Sequence, residues 1–499
     1  MSAPELVEPP RTANVRTIMV ALAAAIFLAA LDQTVVATAL PTIAGQLHSL
    51  TGISLIVTSY LVAGAVATPV AAKCGDLYGR RPVFVAALAV FAVGSLVGGL
   101  AQSLWQLVVA RAVQGAGGAA MMTVALAIVA ESVPDRYRPR YQGILGSVFG
   151  LASIVGPLVG GFLTEHASWR WALLGNVPLC VLIVVAVQAA VPPTARRPSA
   201  RLDLPGIAAL AIALVGILLT LDWGGTRYSW TSPTTLGLLL VSIGASVVFA
   251  LIERRTVDAL MPLRLFAHRR LIAPLAVGAL MAMSLFVAVT YLPTFFQYAL
   301  RVDATEAGLL LVPFMVAVVA VSTTAGALAS RWNRYRYFPR VGTVLAAVGM
   351  LSFSLIGDGA PIAQVVASVV VFGMGLGMTM QLIVVAAQDA VPRADLGVGT
   401  GLVMLARSLG AVLGVAIWGT IFAVLYTRTA TAIPGLPDAA SVTPAALQTM
   451  PAATATAVAS AISDSLRTVF LWAVIPAALA AFAAFGIRER PRGTQEDPA

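Results

Sequence analysis

TIMVALAAAIFLAALDQTVVATAL, residues 17–40, is an apolar run whose only ionisable side chain is Asp32. At about 1.5 Å per residue a helix over this run is about 36 Å long, enough to cross a hydrocarbon core of about 30 Å. A soluble core helix would break such a run with a polar face. The apolar region of a cleaved signal peptide is only about 7–15 residues. The stretch therefore reads as an uncleaved membrane-spanning helix.

Thirteen further runs of this kind follow, near 52–73, 82–102, 105–130, 141–163, 171–192, 204–221, 233–252, 271–293, 307–329, 339–357, 361–387, 397–424 and 467–486, of which 204–221 and 339–357 are the shortest. The expected fold is an all-α integral membrane protein of about fourteen transmembrane helices. Composition agrees, since 59% of the chain is hydrophobic and 10% charged, against about 25% charged in soluble domains.

With the N-terminus placed in the cytoplasm, 24 of the 31 Lys and Arg fall in inner segments and 5 in outer ones. Arg111 and Arg407 fall within helices. Positive charge on the cytoplasmic side is the rule for membrane proteins, so both termini are expected inside, and the net charge of +10 carries no implication of nucleic acid. Two cysteines, Cys74 and Cys180, make no disulfide framework. CxxC, HExxH, GxxxxGK[ST] and GxSxG are absent, so nothing points to a zinc enzyme, a nucleotide-driven motor or a serine hydrolase. Gly373–Gly377 and Gly397–Gly401 lack the third dinucleotide-binding spacing and read as helix packing. No cofactor and no metal is expected.

Lys73–Pro82 (KCGDLYGRRP) and Ser330–Arg340 (SRWNRYRYFPR) are both basic inner loops that end near a Pro. If they are equivalent, the chain has an inner segment 1–16, a six-helix half 17–192, a linker 193–270 with two extra helices, a second six-helix half 271–486 and a tail 487–499. The longest outer loop, 426–466, is read as a mobile surface loop, with helical extension over 454–466 as the alternative. Paired halves around a midplane site are the architecture of alternating-access carriers.

An acid within a spanning helix is functional by default. Counted along their helices, Asp32 lies about 12 Å and Arg111 about 9 Å below the outer face, so they can pair if their helices touch. Burial favours the neutral acid and a guanidinium favours the carboxylate; an acid between these tendencies can take up and release a proton. The alternative is a static buried ion pair. In the loop after helix 2, Gly75 and Gly79 permit a tight turn, Asp76 suits a helix N-terminus, and Arg80 and Arg81 can meet acids or lipid phosphates. Gly156, Gly160 and Gly161 around Pro157 give a closely packed, bendable helix. Arg407 has no acid at its depth in the second half, and reads either as bonded to backbone carbonyls or as a charge facing water in a cavity.

Four segments together are similar to one family. LDQTVVATALP (31–41), GDLYGRRP (75–82), RAVQGAGG (111–118) and GLASIVGPLVGG (150–161) resemble, in order and on the same helices, the motifs of the fourteen-helix drug/proton antiporters of the major facilitator superfamily. Trp169–Trp171 and Asn176–Pro178 also fit, and Arg407–Gly410 is a weaker match in the second half. The resemblance implies a proton-coupled exporter of small amphipathic, cationic compounds, drugs among them, working as a monomer in a bacterial plasma membrane, in contact with protons and lipids. It assigns proton coupling and substrate recognition to Asp32 and Arg111, a conformational latch to Gly75, Asp76, Gly79, Arg80 and Arg81, and the antiporter gate to Gly156, Pro157, Gly160 and Gly161. Export of a specific metabolite, lipid or peptide remains open, as does, with less weight, a non-transporting sensor. An enzyme is not expected.

Overall fold

The computed structural model describes residues 15–46, 53–192, 202–225, 228–256, 259–261, 263–267, 269–302, 304–357, 359–431, 433 and 451–489. Arg11, Arg196, Arg197, Arg201, Arg227, Arg490, Arg492 and most of the outer loop, 434–450, lie outside these residues.

The first six spans are α1 (Val15–Gln46), α2 (Ile53–Tyr78), α3 (Arg80–Gly99), α4 (Leu104–Ser132), α5 (Arg138–His166), and α6 (Trp169–Leu174) continued by α7 (Asn176–Ala190). Two extra helices follow, α8 (Leu204–Trp223) and α9 (Pro233–Arg255). The last six spans are α10 (Arg269–Ala299), α11 (Ala304–Leu309) with α12 (Val312–Trp332), α13 (Tyr337–Ser354), α14 (Ile362–Thr379) with α15 (Leu382–Asp389), α16 (Leu396–Ala430) and α17 (Ala452–Ala484). Among the described residues, thirteen spans are long and apolar enough to cross a membrane. The fourteenth, α13, is 18 residues long and opens on the polar Tyr337–Arg340. Large apolar side chains such as Val20, Leu158, Leu240 and Phe482 face outward, as a lipid-facing surface requires. The molecule is a multi-pass membrane protein.

Three expected spans are each split in two, the one over 361–387 at Met380–Gln381 with no proline nearby, the other two ahead of a proline. Pro178 lacks the N–H that would bond the Leu174 carbonyl, and α6 ends at Leu174; Pro313 stands four residues after Leu309, where α11 ends. The last helix corrects the reading of 454–466 as a mobile loop. It begins at Ala452, because Val458, Ile462, Leu466, Val469 and Phe470 recur every three to four residues and are buried. This stripe packs on α10, α13 and α16.

The two sets of six spans share one neighbour pattern. First packs on fifth (α1 on α5, α10 on α16), second on fourth, third on fourth, and first and third on sixth in both. The sets meet where α5 packs on α12 and α2 on α16. Helices α8 and α9 pair with each other, and α8 lies on α2 and α16. Most arginines gather at one end of the bundle, called here the basic face.

Candidate functional site

Four spans of the first half meet at a buried polar cluster. Asp32 on α1 is 1% exposed and Arg111 on α4 is 3% exposed. Arg111 Nη1 donates to Asp32 Oδ2 at 2.6 Å and to Gln114 Oε1 at 2.7 Å. The other carboxylate oxygen, Asp32 Oδ1, accepts from Gln114 Nε2 at 2.7 Å and from Asn176 Nδ2 at 2.8 Å. Ser95 Oγ on α3 accepts from Gln114 Nε2 at 2.7 Å. The Arg111 guanidinium lies 4.3 Å from the centre of the Tyr60 ring. Arg111, Gln114 and Asn176 all aim donors at one carboxylate, and charge-assisted bonds of this kind are short and strong.

Glycines bring these groups together. A Cβ on Gly115 would collide with the Tyr60 backbone, and one on Gly94 would come 2.6 Å from Gln114 N. Alpha-carbon packing of this closeness sets α4 directly between α2 and α3, which buries Arg111 rather than letting it reach the surface.

The second half builds the equivalent junction from hydrocarbon. Gly117 on α4 lies against Phe91 N on α3, as Gly375 on α14 lies against Ala346 N on α13. By the same match, Gly94 faces Gln114 and Gly349 faces Phe372. The place of Gln114 is thus taken by Phe372, which joins Phe314, Phe353, Phe470 and Phe295 in a chain of rings with centroids 5.5–5.8 Å apart. The fold does not require ions at this crossing.

A cavity of about 230 Å³ lies between the halves. Its wall includes Gln33, next to Asp32 on α1, and Tyr60, whose ring meets Arg111, then Phe149, Phe286 and Met404, and Leu218 and Leu221 from the extra helix α8. Arg407 on α16 reaches this wall, which contains no Asp or Glu among its described residues. Its one described hydrogen bond is to Met404 Sδ at 3.7 Å.

At the basic face the halves are tied together. Gly79 holds φ at +92° between α2 and α3, a left-handed turn that favours glycine. Beyond that turn Arg80 folds back to Asp76 at 2.6 Å and reaches Glu131 of α4 at 2.7 Å. Asp76 Oδ2 also accepts from the backbone N–H of Val398 at 3.2 Å, at the N-terminus of α16 in the other half. There the helix dipole favours a negative charge. A Cβ on Gly75 would stand 3.4 Å from Arg80 Nη1. Arg81 is half-buried and joins none of these bonds. Further ties run from Gln388 to the Leu126 carbonyl, from Arg140 N to Ser330 Oγ and from Ser322 to the Gly143 carbonyl. These ties between the halves all lie on the basic side of the cavity.

The α5 glycines divide by neighbour. Gly156 is pressed on Thr34 of α1, two residues from Asp32, while a side chain at Gly161 would meet nothing within 4 Å. Gly160 is buried and the neighbouring Pro157 faces outward. The close approach of α5 to the second half is made instead by Gly143, Gly146 and Gly150, against Ser322, Gln381 and Val319. Gln114, Ser95 and Tyr60 are not singled out by the sequence. The one signal that could have found them is Gln114, at i+3 from Arg111 on the same helix face.

Residues 22–415 match the family model of the Major Facilitator Superfamily. An uncharacterised MFS-type transporter of Mycobacterium tuberculosis is 37% identical over 477 residues, covering 95% of this chain and 69% of the relative. The multidrug transporter protein MdtP of Bacillus subtilis is 29% identical, over 81% of this chain and 75% of its own length. Among solved structures, the proton:xylose symporter XylE superposes with a TM-score of 0.64 at 12% identity, covering 95% of this chain and 96% of that one.

Proposed function

The chain belongs to the Major Facilitator Superfamily, and on that premise we propose that it is a secondary active exporter, exchanging external protons for small amphipathic compounds by alternating access. The basic face is assigned to the cytoplasm by the positive-inside rule, which puts both termini inside, and the reading takes the membrane to be the plasma membrane. The described state is then closed toward the cytoplasm, with the cavity on the outer side of the ties at Asp76, Gln388 and Ser330.

The observation that carries the reading is the Asp32 cluster beside the cavity. Taking an ion pair out of water is costly, and the other half fills the same crossing with phenylalanine. An ion pair retained where hydrocarbon packs equally well is explained by work done with its charge. Protonation of Asp32 removes the anion that holds Arg111 Nη1 and converts one oxygen from acceptor to donor. A proton on Oδ2 sets a donor against Arg111 Nη1, and a proton on Oδ1 sets one against the amides of Gln114 and Asn176 that share that oxygen, so the packing of α1 on α4 and α7 changes. Protonation from the outer side in this state, and release once the halves have rocked open inward, couples the gradient to the conformational cycle. A proton crossing the membrane potential contributes about 2.3 kcal/mol per 100 mV.

The same reading gives Asp76, Arg80 and their loop the part of a latch that must part before the cytoplasmic side opens. The cavity wall is largely hydrocarbon with few fixed polar groups, which favours amphipathic cargo over a sugar. Similarity to MdtP, a multidrug transporter by name, supports the same direction. The test is accumulation of fluorescent amphipathic probes in inside-out vesicles. Accumulation should need an imposed pH gradient, stop when a proton ionophore collapses it, and be lost in Asp32→Asn. Accumulation by wild type without a gradient contradicts the reading.

A further inference from the structure

We propose that the cavity selects amphipathic organic acids, with Arg407 as the partner of the cargo's carboxylate or sulfonate. This rests on the cavity being the transport site.

Arg407 stands eleven residues into α16, roughly 16 Å from the helix start, deep within the spanning region. A charge at that depth is expensive unless something compensates it. Asp32 and Arg111 compensate each other; Arg407 has no carboxylate partner among the described residues, and its hydrogen bond to Met404 Sδ at 3.7 Å supplies little. Its position is nevertheless built. Gly278 on α10 leaves room for the stem, since a Cβ there would come 3.3 Å from Arg407 Cγ. The head reaches the cavity wall beside Ser408.

The wall carries this one cation and no Asp or Glu among its described residues. The nearest candidate to attract a cationic cargo, Asp32, is 1% exposed and already accepts from Arg111, Gln114 and Asn176. The Tyr60 ring, which could otherwise take a cation on its face, has the Arg111 guanidinium at 4.3 Å. A cationic cargo would therefore meet Arg407 with no counter-charge, whereas an anion would supply the charge that Arg407 lacks. The surrounding Met122, Phe149, Leu221, Leu285 and Phe286 suit a ring system attached to the anionic group. The cationic cargo implied by family resemblance is thus opposed by the sign of the charge on this wall. Exchange of a proton inward for an anion outward also moves two charges in the same electrical sense, so a negative-inside potential drives it more strongly than exchange for a cation, which is electroneutral.

Three probes with one fluorophore separate the possibilities: dansylglycine, a carboxylate; dansylamide, neutral; and dansylcadaverine, an ammonium. Equilibrium binding to the purified full chain in detergent is titrated with each, for wild type, Arg407→Lys and Arg407→Gln. The expected order in wild type is dansylglycine tightest and dansylcadaverine weakest, at least tenfold apart. Arg407→Gln should weaken dansylglycine about tenfold or more and leave dansylamide unchanged, while Arg407→Lys keeps part of the preference. Competition by chloride at millimolar concentration, with dansylglycine no tighter than dansylamide, would make Arg407 an inorganic-anion site and overturn the proposal. So would wild type binding dansylcadaverine as tightly as dansylglycine, a result that does not depend on whether Arg407→Gln folds. Because binding is read without a gradient, a chain that prefers dansylglycine and fails to accumulate it overturns the export reading and leaves this one standing.

Discussion

Replacing the whole ionic cluster by hydrocarbon should leave a stable protein that no longer couples, whereas removing Arg111 alone should leave an unstable one. Arg111 is 3% exposed, donates at 2.6 and 2.7 Å, and stacks 4.3 Å from the Tyr60 centroid. Arg111→Met deletes these contacts and leaves Asp32 with two amide donors and no counter-charge. Stranding one member of a buried pair costs about 3–5 kcal/mol, whereas exchanging the whole pair for packed apolar groups is neutral or gains about 1–4 kcal/mol. The triple variant Asp32→Leu, Arg111→Met, Gln114→Leu makes this crossing resemble its Phe372 counterpart. With an unfolding entropy of about 2.1 cal/mol/K per residue, a chain of this length loses about 1 °C per kcal/mol. Arg111→Met should then unfold about 3–5 °C below wild type, and the triple variant at or above it. Cys180 is buried and Cys74 is the only other thiol, so a thiol-reactive dye in a Cys74→Ser background reports unfolding through Cys180. A triple variant as labile as Arg111→Met would refute the reasoning and make the cluster a structural brace.

Asp76→Ala removes the bonds to Arg80 and to the Val398 N–H. A hydrogen bond to a charged group contributes about 1.5–3 kcal/mol, so the equilibrium should shift about 10- to 100-fold toward the state open at the basic face. A Val398→Cys reporter, buried in the described state, should react correspondingly faster with an impermeant maleimide in inside-out vesicles. Gly156→Ala puts a methyl group into Thr34 two residues from Asp32 and should abolish gradient-driven transport. Gly161→Ala meets open space and should transport like wild type, with unchanged or slightly higher thermal stability; equal transport by the two would show that the α1–α5 contact does not position Asp32.

Charges inside apolar runs are costly enough to be visible one at a time, which is why Asp32, Arg111 and Arg407 are legible from the amino-acid sequence. Gln114, Ser95, Tyr60 and Asn176 are neutral, and neutral polar groups occur widely in membrane helices. Only the meeting of α1, α2, α3, α4 and α7 distinguishes these four. The lack of an acid at the depth of Arg407 is legible within the second half, but the wall it shares with α1, α2, α4, α5 and α8 emerges only when those helices pack. Spans are legible because hydrocarbon thickness sets their length. Breaks at Leu174 and Leu309 each precede a proline by four residues, but Pro69, Pro157, Pro274, Pro293 and Pro476 sit inside unbroken helices, so packing decides which prolines interrupt a span. The stretch 452–466 is rich in Ala with scattered Ser and Thr, and its helix is decided by burial of Val458, Ile462 and Leu466 against neighbouring helices.

The most direct test of the account is proton movement itself, in proteoliposomes containing the purified chain and a trapped pH dye. Adding a dansyl probe on one side should drive proton flux in the opposite direction in wild type. In Asp32→Asn, inserted at equal density and still binding the probe, the flux should fall to that of empty liposomes. Proton flux undiminished in Asp32→Asn would contradict the account and place the coupling group elsewhere in the chain.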